Sequence, residues 1–279
     1  MNDYLLSAFL GVIEGLTEFL PVSSTAHLRI FEVLAGVKLD DGYWKMFSIV
    51  IQLGSILCLP IYFRERLLGF IRTFPQGSRG KNTIFTHPLS LTFAAFLCTA
   101  VPSLLLSKVI GKNLESLKVM GLALVLGGAA MWLVDWIYGP AHAVTGVAEE
   151  VEALRPGQAI FVGVLQTLAA VFPGTSRSMA TISAGQVAGL SRPAALEFSF
   201  LLSIPTMAAA TGYDLLKSLK SGEAQVDAHG WILLAIGFVI SFAVAYAVVA
   251  WFMHWVRQHG FVPFAIYRIA AGLAVLFWM

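Results

Sequence analysis

Six apolar runs, each about as long as a helix that crosses a membrane, restrict this chain to a lipid environment. A bilayer core of roughly 30 Å requires about 20 apolar residues per helix. The chain of 279 residues is 58% hydrophobic and 12% charged, and the charges concentrate between the runs, for example in the solvated connection predicted at 64–88. We therefore predict an all-α polytopic membrane protein. The runs cover residues 46–63, 89–107, 118–137, 196–216, 231–254 and 261–279.

Two further apolar runs, residues 4–20 and 158–172, are too short or too interrupted to span a bilayer. Each ends at a proline that is followed by hydroxyl residues. Such segments are typical of re-entrant helix-turn-helix structures, in which irregular backbone at membrane depth is buried within protein. The predicted fold therefore has six transmembrane helices and two re-entrant segments.

The two interrupted runs resemble each other, which indicates an internal duplication. GVIEGLTEFLPVSS at 11–24 matches GVLQTLAAVFPGTS at 163–176 with an offset of 163 − 11 = 152 residues. FSIVIQLGS from Phe47 resembles FSFLLSIPT from Phe198, with an offset of 198 − 47 = 151 residues. Chance similarity among leucine-rich segments is the alternative, but the shared proline and hydroxyl break favours duplication.

The duplication predicts a single membrane domain, 1–279, that contains two repeats, 1–137 and 158–279. Each repeat holds one re-entrant segment and three spans, and an odd number of spans inverts the second repeat relative to the first. The two re-entrant tips are then expected to meet near the bilayer midplane. The charge of the loops specifies the orientation poorly, although the basic connection at 64–88 favours the cytoplasm.

Charge and cysteine content exclude several classes of protein. The net charge of +2 is scattered, whereas a nucleic-acid partner requires a clustered basic face. Cys58 and Cys98 both lie within apolar runs, so neither a disulfide framework nor a zinc site is expected.

The first tip carries two carboxylates in an apolar segment. Glu14 and Glu18 are four residues apart, so they share a helix face. Two neighbouring carboxylates repel, and Mg²⁺ or Ca²⁺, which prefer carboxylate oxygens, would relieve this repulsion. A salt bridge from Glu14 to an arginine, with Glu18 at the membrane surface, is the structural alternative.

The first tip also carries a hydroxyl and an imidazole at helical spacing. Ser24 and His27 are three residues apart, which predicts the pairing of a nucleophile with a general base. Ser23 and Thr25 are interpreted as helix N-cap residues. An ordinary interfacial histidine is the alternative for His27.

The second tip combines an arginine with hydroxyl groups. Gly174 allows the backbone to approach a ligand closely, and Thr175 or Ser176 caps the following helix. Arg177 and Thr181 are four residues apart and are predicted to converge on one anionic group, with phosphate the best match. The alternative is a structural clamp from Arg177 to the acids of the first tip.

These two stretches resemble the signatures of a known family. EGLTEFLPVSSTAH at 14–27 and PGTSRSMAT at 173–181 are similar to those of the bacitracin-resistance type undecaprenyl-diphosphate phosphatases. The resemblance extends through chain length, span count and inverted duplication. Ala26 departs from the family, which often has glycine before the histidine.

The resemblance implies hydrolysis of undecaprenyl diphosphate to the monophosphate and inorganic phosphate, which recycles the lipid carrier of peptidoglycan synthesis and confers bacitracin resistance. It also implies Mg²⁺ or Ca²⁺ on the acid pair, a bacterial plasma (inner) membrane location and a site that opens to the periplasm. Arg177 would bind the phosphate. Ser24 would attack the phosphorus with His27 as base or relay, but His27 or a metal-activated water are rival nucleophiles. Ser176, Ser178, Thr181 and Gly174 are expected phosphate or structural contacts.

A transporter or flippase for a phosphorylated polyprenyl lipid is the main alternative, because inverted repeats with broken helices are common in secondary transporters. The Ser24 and His27 pair beside the acids favours an enzyme. An anion channel would require a continuous polar path, which the other spans do not offer. A type 2 phosphatidic-acid phosphatase would require a second catalytic histidine. The small residues at 127–130 could pack within one protomer or in a homodimer.

Overall fold

The computed structural model describes residues 2–38, 41–106, 116–139, 148–221 and 226–278, and the fold of this part of the chain is built from α-helices. This confirms the predicted all-α polytopic class. The α-helices are α1 (Asp3–Thr17), α2 (Ser24–Leu34), α3 (Gly42–Tyr62), α4 (Arg64–Thr73), α5 (Pro88–Leu105), α6 (Leu117–Tyr138), α7 (Pro156–Val171), α8 (Arg177–Val187), α9 (Arg192–Ser221), α10 (Ala228–Trp255) and α11 (Val262–Trp278).

Five of the six predicted spans form helices that are long and apolar enough to cross a membrane, namely α3, α5, α6, α9 and α10. The sixth run forms α11, whose 17 residues lie at the lower end of the roughly 17–25 residues that span a bilayer. Residues 107 and 279, where two of the predicted runs end, lie outside the described residues. The protein is a multi-pass membrane protein.

The connection after α3 was predicted as a solvated loop, and this prediction was wrong for α4. Leucine, phenylalanine and isoleucine alternate with arginines here and give an amphipathic helix that buries Phe70. Arg66 anchors the helix, because its two terminal nitrogens donate to Glu152 at 2.5 and 2.8 Å and its Nε donates to Glu197 at 2.7 Å. Most of the second predicted charged connection, 108–118, lies outside the described residues.

The short helices that lead to the tips each pack against a long helix from the other half of the chain. α1 packs against α10, and α7 packs against α5. Gly11 in α1 permits the first contact, because a Cβ there would lie 2.8 Å from the carbonyl oxygen of Gly237. Gly163, its counterpart in the aligned repeat, meets the backbone of Ala95 in the same way. The repeat boundaries and the inverted orientation of the second repeat remain predictions.

A cluster of buried aromatic rings packs against the residues that lead into the first tip. Phe19 is fully buried, and its ring centroid lies 5.5 Å from that of Phe200 in an edge-on contact. Phe252 and Phe261 extend the cluster, with centroids 6.1 Å apart. Because Phe19 directly follows Glu18, this packing fixes the backbone that carries one of the predicted site residues.

Candidate active site

Both predicted tips form turns between two short helices. The first tip separates α1 from α2, and the second separates α7 from α8. Ser23 and Ser176 cap α2 and α8, with hydroxyls that accept hydrogen bonds from Ala26 N at 3.4 Å and Met179 N at 3.3 Å. Both caps are left-handed, with φ of 75° and 70°. Non-glycine residues rarely adopt this conformation, and such strain is common at functional sites.

The caps change the repeat alignment at the tips. Ser23 and Ser176 are equivalent in structure, and their offset is 176 − 23 = 153 residues, one more than in the preceding segment. The residues that begin α2 and α8, Ser24 and Arg177, are therefore structural counterparts. The sequence alignment paired Ser24 with Ser176 instead, because an ungapped comparison does not detect that the segment from Gly163 to the second cap is one residue longer than the segment from Gly11 to the first cap.

Glu18 joins the two tips. Its Oε1 accepts a hydrogen bond from Arg177 Nη2 at 3.1 Å, and its Oε2 accepts one from the hydroxyl of Ser24. The side chains of the ion pair are 13% and 5% exposed. The guanidinium carbon of Arg177 also lies 5.8 Å from the centroid of the Phe19 ring. The structure thus brings together a hydroxyl, a carboxylate and a guanidinium from both halves of the chain.

Glu14 and Arg177 each retain an unused polar atom in this buried region. Glu14 is 1% exposed, and its Oε1 has no hydrogen-bond partner among the described residues. Arg177 Nη1 likewise has none within that part of the chain. Buried polar groups are normally paired, so one unpaired acceptor and one unpaired donor are the atoms with which a ligand that has both cationic and anionic parts could pair.

The acid pair can hold a divalent cation only with help from a ligand. The described residues contain no group of three or more histidine, cysteine or acidic side chains suited to a metal. Mg²⁺, however, is commonly held by one or two carboxylates together with substrate phosphates and water. Glu14, with its free oxygen, and Glu18 fit that pattern.

His27 lies close to the tips but does not contact Ser24. Its Nδ1 is 2.7 Å from the carbonyl oxygen of Ser23, and its Nε2 is 2.6 Å from the hydroxyl of Tyr267. Both ring nitrogens are therefore occupied, and the predicted Ser24 and His27 hydrogen bond is absent. Helical spacing placed the two residues on one side of α2, but the Ser23 carbonyl captures the ring and turns it toward α11.

The hydroxyls of the second tip are engaged within the protein. Ser176 serves as the cap, and Ser178 donates to the carbonyl of Leu20 in the first tip at 2.9 Å. Thr181 lies 3.0 Å from the carbonyl oxygen of Arg177 and 2.6 Å from the hydroxyl of Ser199. The predicted convergence of Thr181 with the Arg177 guanidinium is thus not present, because a buried threonine on a helix readily bonds to the carbonyl one turn earlier.

Gly174 allows a close backbone approach, as its residue type predicts, but the group that approaches it is the backbone of another helix of the protein and not a ligand. Its φ is 93°, and a Cβ there would lie 2.7 Å from the carbonyl oxygen of Met120 in α6. The second tip is therefore packed directly on the backbone of a spanning helix.

The sequence analysis missed a second arginine that holds the tips together. Arg268 in α11 is fully buried and donates to the carbonyl of Pro21 in the first tip at 3.0 Å. It also donates to the carbonyls of Gly174 at 3.1 Å and Thr175 at 2.9 Å in the second. A single charge within an apolar run is a signal that could have identified it, since intramembrane arginines are rarely without a role.

Comparison with known proteins agrees with this arrangement. The family model described as bacitracin resistance protein BacA matches residues 7–274. A protein of Koribacter versatilis named undecaprenyl-diphosphatase is 62% identical over 100% of this chain and 99% of its own length. A protein of Paramagnetospirillum magneticum named undecaprenyl-diphosphatase 2 is 43% identical over 99% of both chains, and an undecaprenyl-diphosphatase of Caldanaerobacter subterraneus is 38% identical over 99% of this chain and 96% of its own. The chain therefore belongs to the family of the bacitracin resistance protein BacA.

Proposed function

We propose that this protein is an integral membrane phosphatase that hydrolyses undecaprenyl diphosphate to undecaprenyl phosphate and inorganic phosphate. The names of the relatives, at up to 62% identity over the whole chain, support this substrate. The observation that carries the proposal is the bridge through Glu18, which connects the Ser24 hydroxyl to the Arg177 guanidinium. A phosphatase requires a nucleophile and a cation in this proximity, whereas a carrier requires only the cation.

The geometry supports Ser24 as nucleophile and Glu18 as its base. The Ser24 oxygen attacks the terminal phosphorus, its proton passes to Glu18, and the bond from phosphorus to the bridging oxygen breaks to release undecaprenyl phosphate. Water then cleaves the phosphoserine and releases inorganic phosphate. Arg177, whose Nη1 has no partner among the described residues, neutralises charge on the transferring phosphoryl oxygens. His27 as relay or rival nucleophile, and Ser176, Ser178, Thr181 and Gly174 as phosphate contacts, remain predictions.

Glu14 and Glu18 are the residues that would hold Mg²⁺ or Ca²⁺. The cation would neutralise negative charge on the diphosphate, which is the main electrostatic contribution of metals to phosphoryl transfer. The Oε1 of Glu14, which no group in the described part of the chain contacts by a hydrogen bond, supports this assignment.

We further propose that the protein lies in the bacterial plasma membrane with its site open to the periplasm, and the proposed substrate and its role in the cell wall support this location. This recycling activity would account for bacitracin resistance. A homodimer remains a prediction. The small residues at 127–130, which could have formed its interface, lie on α6, and two of them pack within the protomer, Gly127 beside Arg268 and Gly128 beside Ile269.

The test is release of phosphate from undecaprenyl diphosphate by purified protein in detergent, with and without a chelator of divalent cations. We expect chelator-sensitive release that falls by about 10²-fold or more in Ser24→Ala, Glu18→Gln and Arg177→Ala. Ser183→Ala is the matched control, because this buried hydroxyl on α8 has no partner among the described residues.

Two outcomes would contradict the proposal. Equal rates in Ser24→Ala and the parent would remove Ser24 as nucleophile and leave His27 or water. No phosphate release by folded protein that still binds the lipid through Arg177 would instead indicate transport of the lipid.

A further inference from the structure

His27 makes two hydrogen bonds that together define the state of its ring. The distances are 2.7 Å from Nδ1 to the Ser23 carbonyl oxygen and 2.6 Å from Nε2 to the Tyr267 hydroxyl. The rings of His27 and Tyr267 are nearly parallel, at 12°, with centroids 5.5 Å apart. The hydroxyl of Tyr267, which carries the only polar hydrogen of that side chain, is therefore held beside Nε2 of the imidazole.

The two partners are not equivalent, and the difference selects one tautomer. A carbonyl oxygen can only accept, so Nδ1 must carry a proton to bond to Ser23. In a neutral imidazole Nε2 then has a lone pair and accepts from the Tyr267 hydroxyl. Ser23 is well fixed for this purpose, because it is the left-handed cap of α2 and its carbonyl also accepts from His27 N at 3.3 Å.

Tyr267 reaches His27 from the other half of the chain and from a firmly held part of it. The next residue, Arg268, is fully buried and bound to carbonyl oxygens of both tips. Tyr267 itself is 48% exposed, so its hydroxyl does not fill a core position. Removal of this oxygen therefore deletes one hydrogen bond and little packing.

We propose that Tyr267 is a positioning residue for His27: the Ser23 carbonyl selects the tautomer with Nδ1 protonated, and the Tyr267 hydroxyl donates to the lone pair on Nε2 and holds the ring in the orientation that keeps both bonds. This tautomer presents an unprotonated nitrogen on the side of the ring away from the α2 backbone, which is the form that a base, relay or nucleophile requires. Without the phenol, Nε2 loses its donor and the ring can rotate away from the Ser23 carbonyl, which then no longer selects one tautomer.

The direct test is ¹⁵N NMR of protein labelled at histidine in lipid nanodiscs, with the His27 signals assigned by comparison with His27→Gln. We expect the parent to show neutral His27 with its proton on Nδ1, and Tyr267→Phe to show a mixture of both tautomers. Tyr246→Phe is the control, because Tyr246 is 40% exposed and its hydroxyl forms no hydrogen bond among the described residues. A parent with the proton on Nε2, or a Tyr267→Phe spectrum identical to the parent, would overturn the proposal.

A second measurement rests on the proposed phosphatase function, with His27 as the relay to the leaving group. With undecaprenyl diphosphate as substrate, Tyr267→Phe should lower kcat about five- to tenfold, which corresponds to the loss of one hydrogen bond, and change KM less than about twofold. A raised KM with unchanged kcat would overturn the proposal, because it would make Tyr267 a substrate contact. If the parent releases no phosphate, the proposed function fails, and the tautomer measurement still decides the role of Tyr267.

Discussion

Gly174 should tolerate substitution poorly because a side chain there would meet the backbone of α6. Gly189, which has a similar φ but open space around it, separates this contact from the effect of φ alone. Its φ is 93°, and a Cβ would lie 2.7 Å from the Met120 carbonyl oxygen and 2.8 Å from the Met120 Cα. Gly189 has nearly the same backbone, with φ of 88°, but the nearest atom to its Cβ would be Gln158 Nε2 at 3.7 Å. Alanine at either position adopts an unfavourable φ, but only at Gly174 does it also meet backbone.

The expected difference in stability between Gly174→Ala and Gly189→Ala follows from these distances. The left-handed conformation costs an alanine about 1–2 kcal/mol at either site. Gly174→Ala must also separate the tip from α6 by about 3.4 − 2.7 = 0.7 Å to restore ordinary contact, and overpacking of this kind costs a further 1–3 kcal/mol or so. Because Arg177 begins the helix that follows the tip, this shift also displaces its guanidinium. A misplacement near 1 Å can reduce a rate by about 10²-fold, so we expect kcat/KM to fall ten- to a hundredfold.

The assays are thermal unfolding in detergent and phosphate release, applied to Gly174→Ala and Gly189→Ala in parallel. Equal losses of stability in the two variants would show that φ alone, and not the approach to Met120, requires glycine at 174. Reduced stability with an unchanged rate for Gly174→Ala would show that the position of the second tip does not control the chemistry.

Three further predictions address the tip clamp, the cation and a helix cap. Arg268→Gln should lower the free energy of unfolding by about 3–5 kcal/mol, because buried carbonyl oxygens of both tips lose a charged donor, and a loss below about 1 kcal/mol in denaturant unfolding would refute the clamp. Glu14→Gln should raise the concentration of Mg²⁺ or Ca²⁺ that gives half-maximal phosphate release, and an unchanged metal titration would move the cation elsewhere. Burial lowers the pKa of His87, whose Nδ1 accepts a hydrogen bond from Leu89 N at the start of α5. The folded protein therefore favours the neutral form of this histidine. The stabilisation that depends on neutral His87 is fully present when the pH is above 6.5, the ordinary pKa of histidine, and is lost as the pH falls below it. The melting temperature should therefore drop between pH 7.5 and 5 in the parent and less in His87→Asn, which keeps a cap that cannot protonate; equal drops would contradict this.

The sequence predicted the elements that follow from length and periodicity. The spans were identifiable because about 20 apolar residues have few alternatives to a transmembrane helix, and the tips because Pro21 and Pro173 end runs that are too short to cross. The pairing of Arg177 with an acid of the first tip was foreseen as the structural alternative, and the structure realises it with Glu18 at 3.1 Å.

The details that failed depend on the direction of side chains. Spacing placed His27 and Ser24 on one side of a helix, but the Ser23 carbonyl and Tyr267 determine where the ring points. Arg268 could have been singled out as a charge within an apolar run, but its clamp between the tips could not, because its partners are backbone carbonyls, which carry no residue-specific signal in the sequence. Asp135 escaped notice for a related reason, since the residue that satisfies it, Arg192, is 57 positions away, with Nε at 2.7 Å.

The clamp by Arg268 also determines when the site can exist during synthesis. The carbonyl of Pro21 receives its hydrogen bond from a residue 247 positions later in the chain. Until the last described helix has been made and inserted, the polar backbone of the first tip must be satisfied by water or by the insertion machinery, because lipid offers no donor. The first tip leaves the ribosome well before α11, yet it reaches its final state only once α11 is in place. Any change that slows the insertion of α11 would therefore expose the first tip to misfolding or proteolysis before the enzyme is complete.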